Sequence, residues 1–318
     1  MRVVQRRGEV VETAHQVSAV LVRADGAVVE REGAALVVPW RSSAKPFQME
    51  GSLSLLPRAV VEGLSSVELA LGTSSHSGEP EHLVQVGGLG ARLGVAEAAL
   101  MCGAVWPFGQ AARRAALAAG ASPRPYHSDC SGKHSFMAAA SAAQGWEPDY
   151  RPPNHPLQVH LLRRIQDLTE GAVVGTVPDG CGVPSFVLSL DGMALAWARF
   201  GALTARGEGD LGRIGAAMKG APWFVGGTQR VDSALLEGTP LLAKIGAAGL
   251  MCLALPEAGL GLAVRVHSGA CDARPAAVRA ALDLWLPGVL PAGLLDPWCT
   301  VSDDIGRLVG RWEVDWAS

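Results

Sequence analysis

The stretch Ala34-Ala35-Leu36-Val37-Val38-Pro39-Trp40-Arg41-Ser42-Ser43-Ala44-Lys45-Pro46-Phe47 turns a short apolar strand directly into a helix. Residues 34–39 suit a strand, and the helix is expected to run to about Leu56. A serine at the start and Pro46 in the first turn are both helix-start signals. Pro46 disfavours the α conformation at Lys45, which can move the start by a residue or two. Upstream, His15–Arg23 and Ala27–Arg31 flank the turn Ala24-Asp25-Gly26 and read as a β-hairpin. Downstream, Glu79–Leu93, Gly109–Ala119, Ser131–Gln144 and His155–Thr169 have helical spacing. Short β-like runs return at Val173–Val177, Ser185–Leu190, Met193–Arg199, Met251–Leu255 and Gly261–His267, before a helix over Ala273–Trp285. Strands at both ends around a helical middle predict an α/β fold. Residues 1–72 with 170–318 would form a sheet lobe, and 73–169 a helical lobe, within one unit spanning 1–318.

Composition narrows the function. Of 318 residues, 49% are hydrophobic and 18% charged, so a large core is expected. A net charge of −3 without long basic runs argues against nucleic acid as a partner. No stretch of about 18 uncharged apolar residues exists, so no membrane span is expected. The first residues lack an apolar signal core, which predicts a cytoplasmic protein. Six cysteines without a CxxC pair predict free, mostly buried thiols.

Only four of the 27 basic residues are lysines: Lys45, Lys133, Lys219 and Lys244. Arginine stays charged at any working pH, whereas a lysine can lose its proton and act as a base or a metal ligand. Lysines retained in an arginine-rich chain are therefore candidates for chemistry. Lys219, beside Gly220, reads as an ordinary helix-end cation.

Two serine segments frame a nucleophile. Ser42-x-x-Lys45 spaces a hydroxyl and an amine by one turn, and a desolvated amine can take a serine proton. Ser42 as a plain helix cap and Lys45 as a solvated side chain would fit the same spacing. Gly72-Thr73-Ser74-Ser75-His76-Ser77-Gly78-Glu79-Pro80-Glu81-His82 crowds hydroxyls, imidazoles and carboxylates into a loop before a helix. Its backbone N–H groups could hold an oxyanion, or Ser77 could simply cap the helix.

Ser128-Asp129-Cys130-Ser131-Gly132-Lys133-His134 and Asp179-Gly180-Cys181-Gly182-Val183-Pro184 offer two thiols and nearby N or O donors. Such a set could build a zinc site, or it could be two unrelated loop cysteines. Lys244-Ile245-Gly246-Ala247-Ala248-Gly249 holds a lysine in an apolar, glycine-rich run. That lysine is either a second base or a snorkelling surface cation. His15, His155, His160 and His267 suit structural roles.

Arg41-Ser42-Ser43-Ala44-Lys45-Pro46, Ser75-His76-Ser77-Gly78-Glu79, Cys130-Ser131-Gly132-Lys133-His134, Asp179-Gly180-Cys181 and Lys244-Ile245-Gly246 together resemble the asparaginase II family, the rhizobial-type L-asparaginases, in order and across nearly the whole chain. The resemblance implies a serine β-lactamase/glutaminase-like α/β fold, a homodimer, and hydrolysis of L-asparagine to L-aspartate and ammonia. It implies two Ser–Lys pairs, Ser42 with Lys45 and Ser75 with Lys244. It further implies a zinc ion on Cys130, Lys133 and Cys181, with Asp179, Arg41 and His76 around the substrate. On this reading Ser42 attacks, a neutral Lys45 takes its proton, and Ser75 tuned by Lys244 relays protons. Another serine amidase such as a glutaminase, or a non-catalytic zinc-dependent amino-acid-binding protein, would share several of these features.

Overall fold

The computed structural model describes residues 1–315. Its strands are β1 (Arg2–Arg7), β2 (Val10–Arg23), β3 (Val28–Glu32), β4 (Val37–Pro39), β5 (Val173–Pro178), β6 (Pro184–Ser189), β7 (Leu242–Ile245), β8 (Leu250–Leu255), β9 (Leu260–Val266), β10 (Thr300–Ser302) and β11 (Leu308–Asp315). The large sheet runs β10-β11-β1-β2-β9-β8-β7, with β3 also paired to β2, and every pairing is antiparallel. It is built from both ends of the chain around a helical middle, the α/β organisation expected from the sequence. A second, three-stranded sheet has the order β4-β6-β5.

The β2–β3 hairpin turns at Asp25-Gly26, where Gly26 takes a positive φ of 93° and Asp25 Oδ1 accepts the Ala27 N–H. The four helices expected in the middle form as Pro80–Leu93, Gln110–Ala118, Ser131–Ala143 and Pro156–Leu168. His155 caps the last of these by accepting the Leu157 N–H.

Met193–Arg199, expected as a strand, lies inside the long helix Leu190–Arg206. Ser189 caps its start and left-handed Gly207 ends it. The misreading has a physical cause. Met193 to Ala198 are all buried, so the helix shows no polar stripe to reveal its period. It packs on β2, β8 and β9. Gly261 of β9 makes this possible, because a Cβ there would lie 2.0 Å from the Ala194 carbonyl oxygen.

A second close approach positions the site. A Cβ on Gly132 would lie 2.2 Å from the Leu71 oxygen. The Ser131–Ala143 helix can therefore start directly against the end of the Ser66–Thr73 helix. Asp129 and Cys130 at one helix start thus come beside Ser74 and Ser75 at the other helix end. The Ser66–Thr73 helix is itself fixed by a reciprocal cap, in which Ser65 Oγ accepts the Glu68 N–H and Glu68 accepts the Ser65 N–H.

Candidate active site

Ser42, Ser75 and Asp129 open onto one cavity of about 650 Å³, which Phe108, Arg230 and Trp298 also line. Ser42 lies in a 3₁₀ turn, Arg41–Ala44, just before the Lys45–Leu53 helix. It makes no capping bond to either element, so the capping alternative does not hold. Ser77 does not cap its helix either; its hydroxyl donates to the Gly226 oxygen.

Lys45 is 1% exposed. Its Nζ donates to Ser75 Oγ at 2.8 Å, to the Ser74 oxygen, and to the Asp129 oxygen at 3.4 Å. These three acceptors occupy all three N–H bonds of an ammonium. The hydrogen bond to a serine therefore goes to Ser75, not to Ser42 as the sequence spacing had paired them. Burial pushes the Lys45 amine towards neutrality, but the charges of Cys130 and then Asp129 outweigh it, and its pKa is displaced upward. Cys130 itself keeps its proton well above the usual thiol range, so Asp129, 3.7 Å away, and then the Cys181 thiolate are the anions that act at neutral pH. Burial also raises the Asp129 carboxyl, but Lys45, with His76 and Lys244, more than offsets this and its pKa is lowered. Lys45 is thus an ammonium, contrary to the neutral amine expected from sequence.

Lys244 is fully buried, not a snorkelling surface cation. It extends from β7, opposite Cys252 of β8, and its Nζ donates to Asp232 Oδ2 at 2.9 Å and to the Ile245 oxygen. Among the described residues it donates to no serine, so the expected pairing with Ser75 is not formed. The reason is Asp232, on the Val231–Gly238 helix packed against β7. Burial lowers the Lys244 pKa to about 8, and Asp232 limits the fall.

Arg41, His76 and Asp179 do not line the cavity. Arg41 has a left-handed backbone, φ 53°, which costs a non-glycine residue energy and is seen where a side chain must be aimed. Its Nε and a terminal nitrogen both reach Asp179 Oδ1, at 3.2 and 3.1 Å. His76 is fully buried; its Nδ1 accepts the Gly78 N–H, so Nε2 carries the proton and donates to Ser131 Oγ at 2.8 Å. Burial lowers its pKa to about 3, so it remains neutral. Lys219 bonds the Leu236 and Thr239 carbonyl oxygens at a helix end, as expected for a structural cation. His15, His155, His160 and His267 each hold a hydrogen bond, as anticipated.

Cys181 sits in the turn between β5 and β6, where Gly182 takes a φ of 88° and donates to the Asp179 oxygen. Lys133, 2% exposed, donates to Cys181 Sγ at 3.2 Å. The Cys130 thiol hydrogen-bonds Cys181 and, with Lys133 and His134, drives the Cys181 thiol well below its ordinary range despite burial. His134 is held by Tyr150 at Nδ1, and its buried Nε2 has no partner at hydrogen-bond distance. Among the described residues no three His, Cys, Asp or Glu side chains are grouped to hold a metal ion. A metal here would need the Lys133 nitrogen as third donor. The set fits zinc chemically once Lys133, which the Cys181 and Cys130 charges hold protonated, gives up its proton: two buried sulfurs, one already a thiolate, and the Lys133 nitrogen in contact with it. All six cysteines are free, and five are buried.

Asp129, Asp232 and Arg230 were not singled out from sequence. Asp129 stands next to the noted Cys130, but its contact with Lys45 is set by tertiary packing. Asp232 had no local signal at all.

Fold and site together define an α/β protein with two serines facing a pocket backed by buried lysines. Comparison with known families matches residues 3–290 to L-asparaginase II, and the chain belongs to that family. The family implies an amidohydrolase. Comparison with curated proteins finds no significant match. Among solved structures the chain is similar to a β-lactamase from Mycobacterium bovis, at 16% identity and a TM-score of 0.37, over 86% of this chain and 95% of that one. No described helix is long and apolar enough to cross a membrane.

Proposed function

We propose that this protein hydrolyses L-asparagine to L-aspartate and ammonia by serine acyl transfer. The observation that carries the reading is the buried Lys45–Ser75 hydrogen bond at the wall of a cavity that Ser42 also lines. Ser42 attacks the side-chain amide carbon, and the C–N bond breaks as ammonia leaves. The departing nitrogen needs a proton and Ser42 must lose one. Lys45, starting as an ammonium, supplies a proton through Ser75 Oγ to the nitrogen and recovers one from Ser42 through that same hydroxyl. It ends as it began, so it serves as a proton carrier and need not be neutral at the outset. Water then releases aspartate by the reverse relay.

Cys130, Lys133 and Cys181 would hold zinc. Bound there, the ion supplies fixed positive charge that orients the polar end of the substrate. A homodimer is proposed from the family resemblance alone.

The test is ammonia release from L-asparagine by the purified protein, beside L-glutamine and a β-lactam. Turnover of asparagine with a trapped ester on Ser42 supports the proposal. Tight asparagine binding without ammonia release would instead make the chain an amino-acid-binding protein.

A further inference from the structure

Arg230 is the cation of the cavity whose charge is not spent on the protein. Arg274 also lines the cavity, but it donates to the Gly246 and Leu250 oxygens. Arg41 is taken by Asp179. Among the described residues Arg230 has no ion pair, and its buried NH1 has no hydrogen-bond partner. A buried donor left unpaired is unfavourable, and more so when it is charged. Its guanidinium carbon lies over the Phe108 ring, 4.7 Å from the centroid, a cation–π contact at the cavity wall.

The mount is rigid relative to Ser75. Ser75 N–H donates to the Val225 oxygen at 2.9 Å, and Ser77 N–H to the Gly226 oxygen at 2.8 Å. Glu79 accepts both the N–H and the hydroxyl of Thr228 at 2.8 Å. Gln229, in the left-handed region at φ 57°, is held through its oxygen by Trp298 Nε1. The chain from 225 to 228 is thus tied to the serine loop, and Gln229, next to Arg230, to Trp298. A guanidinium without an ion pair, held at the cavity wall on a segment tied to the serine loop, suits a carboxylate.

We propose that Arg230 binds the α-carboxylate of the amino-acid substrate and thereby selects α-amino acids carrying a side-chain amide. This inference rests on the amidohydrolase reading above. The experiment measures kcat and KM of the full chain and of Arg230→Gln. The substrates are L-asparagine and its α-carboxamide, with products separated by chromatography. The wild type is expected to favour asparagine by roughly 10- to 100-fold in KM, the range for a charged hydrogen bond. Arg230→Gln should raise the asparagine KM by a similar factor, leave kcat within about 3-fold, and bring the two substrates within about 3-fold of each other. Arg230→Lys, which keeps the charge but loses the fork, should fall between, and it carries the test if Arg230→Gln does not fold. An unchanged preference in the variants overturns the assignment while leaving the amidohydrolase reading intact. If the wild type releases no ammonia, that reading falls instead. L-aspartate binding by calorimetry then decides for Arg230: loss of binding in Arg230→Gln supports the assignment, and equal behaviour in both proteins overturns it.

Discussion

Lys244 Nζ lies 2.9 Å from Asp232 Oδ2, and neither side chain has any exposed surface. Removing one member of such a pair leaves the other charged and unpaired in the interior, at a cost of about 3–5 kcal/mol. Asp232 Oδ1 already lacks a partner, so little can absorb the loss. Lys244→Met should therefore destabilise the fold by about that amount in urea unfolding. Adding Asp232→Leu removes the stranded carboxylate and should recover most of the loss. A double variant no more stable than Lys244→Met would show that the pair is not what holds this region.

The same pair sets a pH dependence. Lys244 titrates at about 8 when folded, below its ordinary 10.5, because burial disfavours the ammonium. Between these values the unfolded chain binds more protons than the folded one, so stability rises with pH across that window. Below about pH 8 the full cost of charging Lys244 is present, and it fades as pH climbs through the window. Unfolding free energies of wild type, taken relative to the Lys244→Met/Asp232→Leu variant, should increase from pH 8 to 10. A flat difference would mean that Lys244 keeps an ordinary pKa.

Legibility in the sequence followed the range of the interactions. The β2–β3 hairpin was readable because Asp25-Gly26 states its own turn, and the Pro80–Leu93 helix because its period is local. β1 and β11 were not readable. They pair residues about 300 positions apart. Their strands also carry Arg2 and Arg6, whose ion pairs with Asp315 and Glu313 form only after the ends meet. In the site, the retained lysines pointed to the right residues, but not to their partners. Lys45 crosses to Ser75 and Lys244 to Asp232 because Gly132 lets two helices close together and β7 faces the Val231–Gly238 helix. Residue identity is local information, and pairing between distant segments is not.

Lys45 can be replaced in two ways that separate charge from proton transfer. Arginine preserves a cation near Asp129 but does not release its proton at any working pH. If Lys45 carries a proton between Ser42 and the leaving nitrogen, Lys45→Arg should lose on the order of 10²–10⁴-fold in kcat, much like Lys45→Ala. KM should change only a few-fold in both, because Lys45 lies behind Ser75. A Lys45→Arg variant with near-native kcat would reduce Lys45 to an electrostatic support.

Zinc binding is separable from turnover, because the metal content of the protein can be read directly. Cys130, Lys133 and Cys181 come from two segments about 50 residues apart, brought together at a helix start and a hairpin turn. Loss of any one of three protein donors should leave too few to retain the ion through dialysis. Purified wild type reconstituted with zinc should hold about one ion per chain by elemental analysis, the count for a single such site. Cys181→Ser and Lys133→Met should each hold far less while keeping the wild-type circular dichroism. Lys133→Met is the sharper of the two, since it leaves both thiols in place and removes only the amine. Full zinc retention in Lys133→Met would exclude the amine as a ligand and turn attention to His134 Nε2, the buried nitrogen beside Cys181 that lacks a partner.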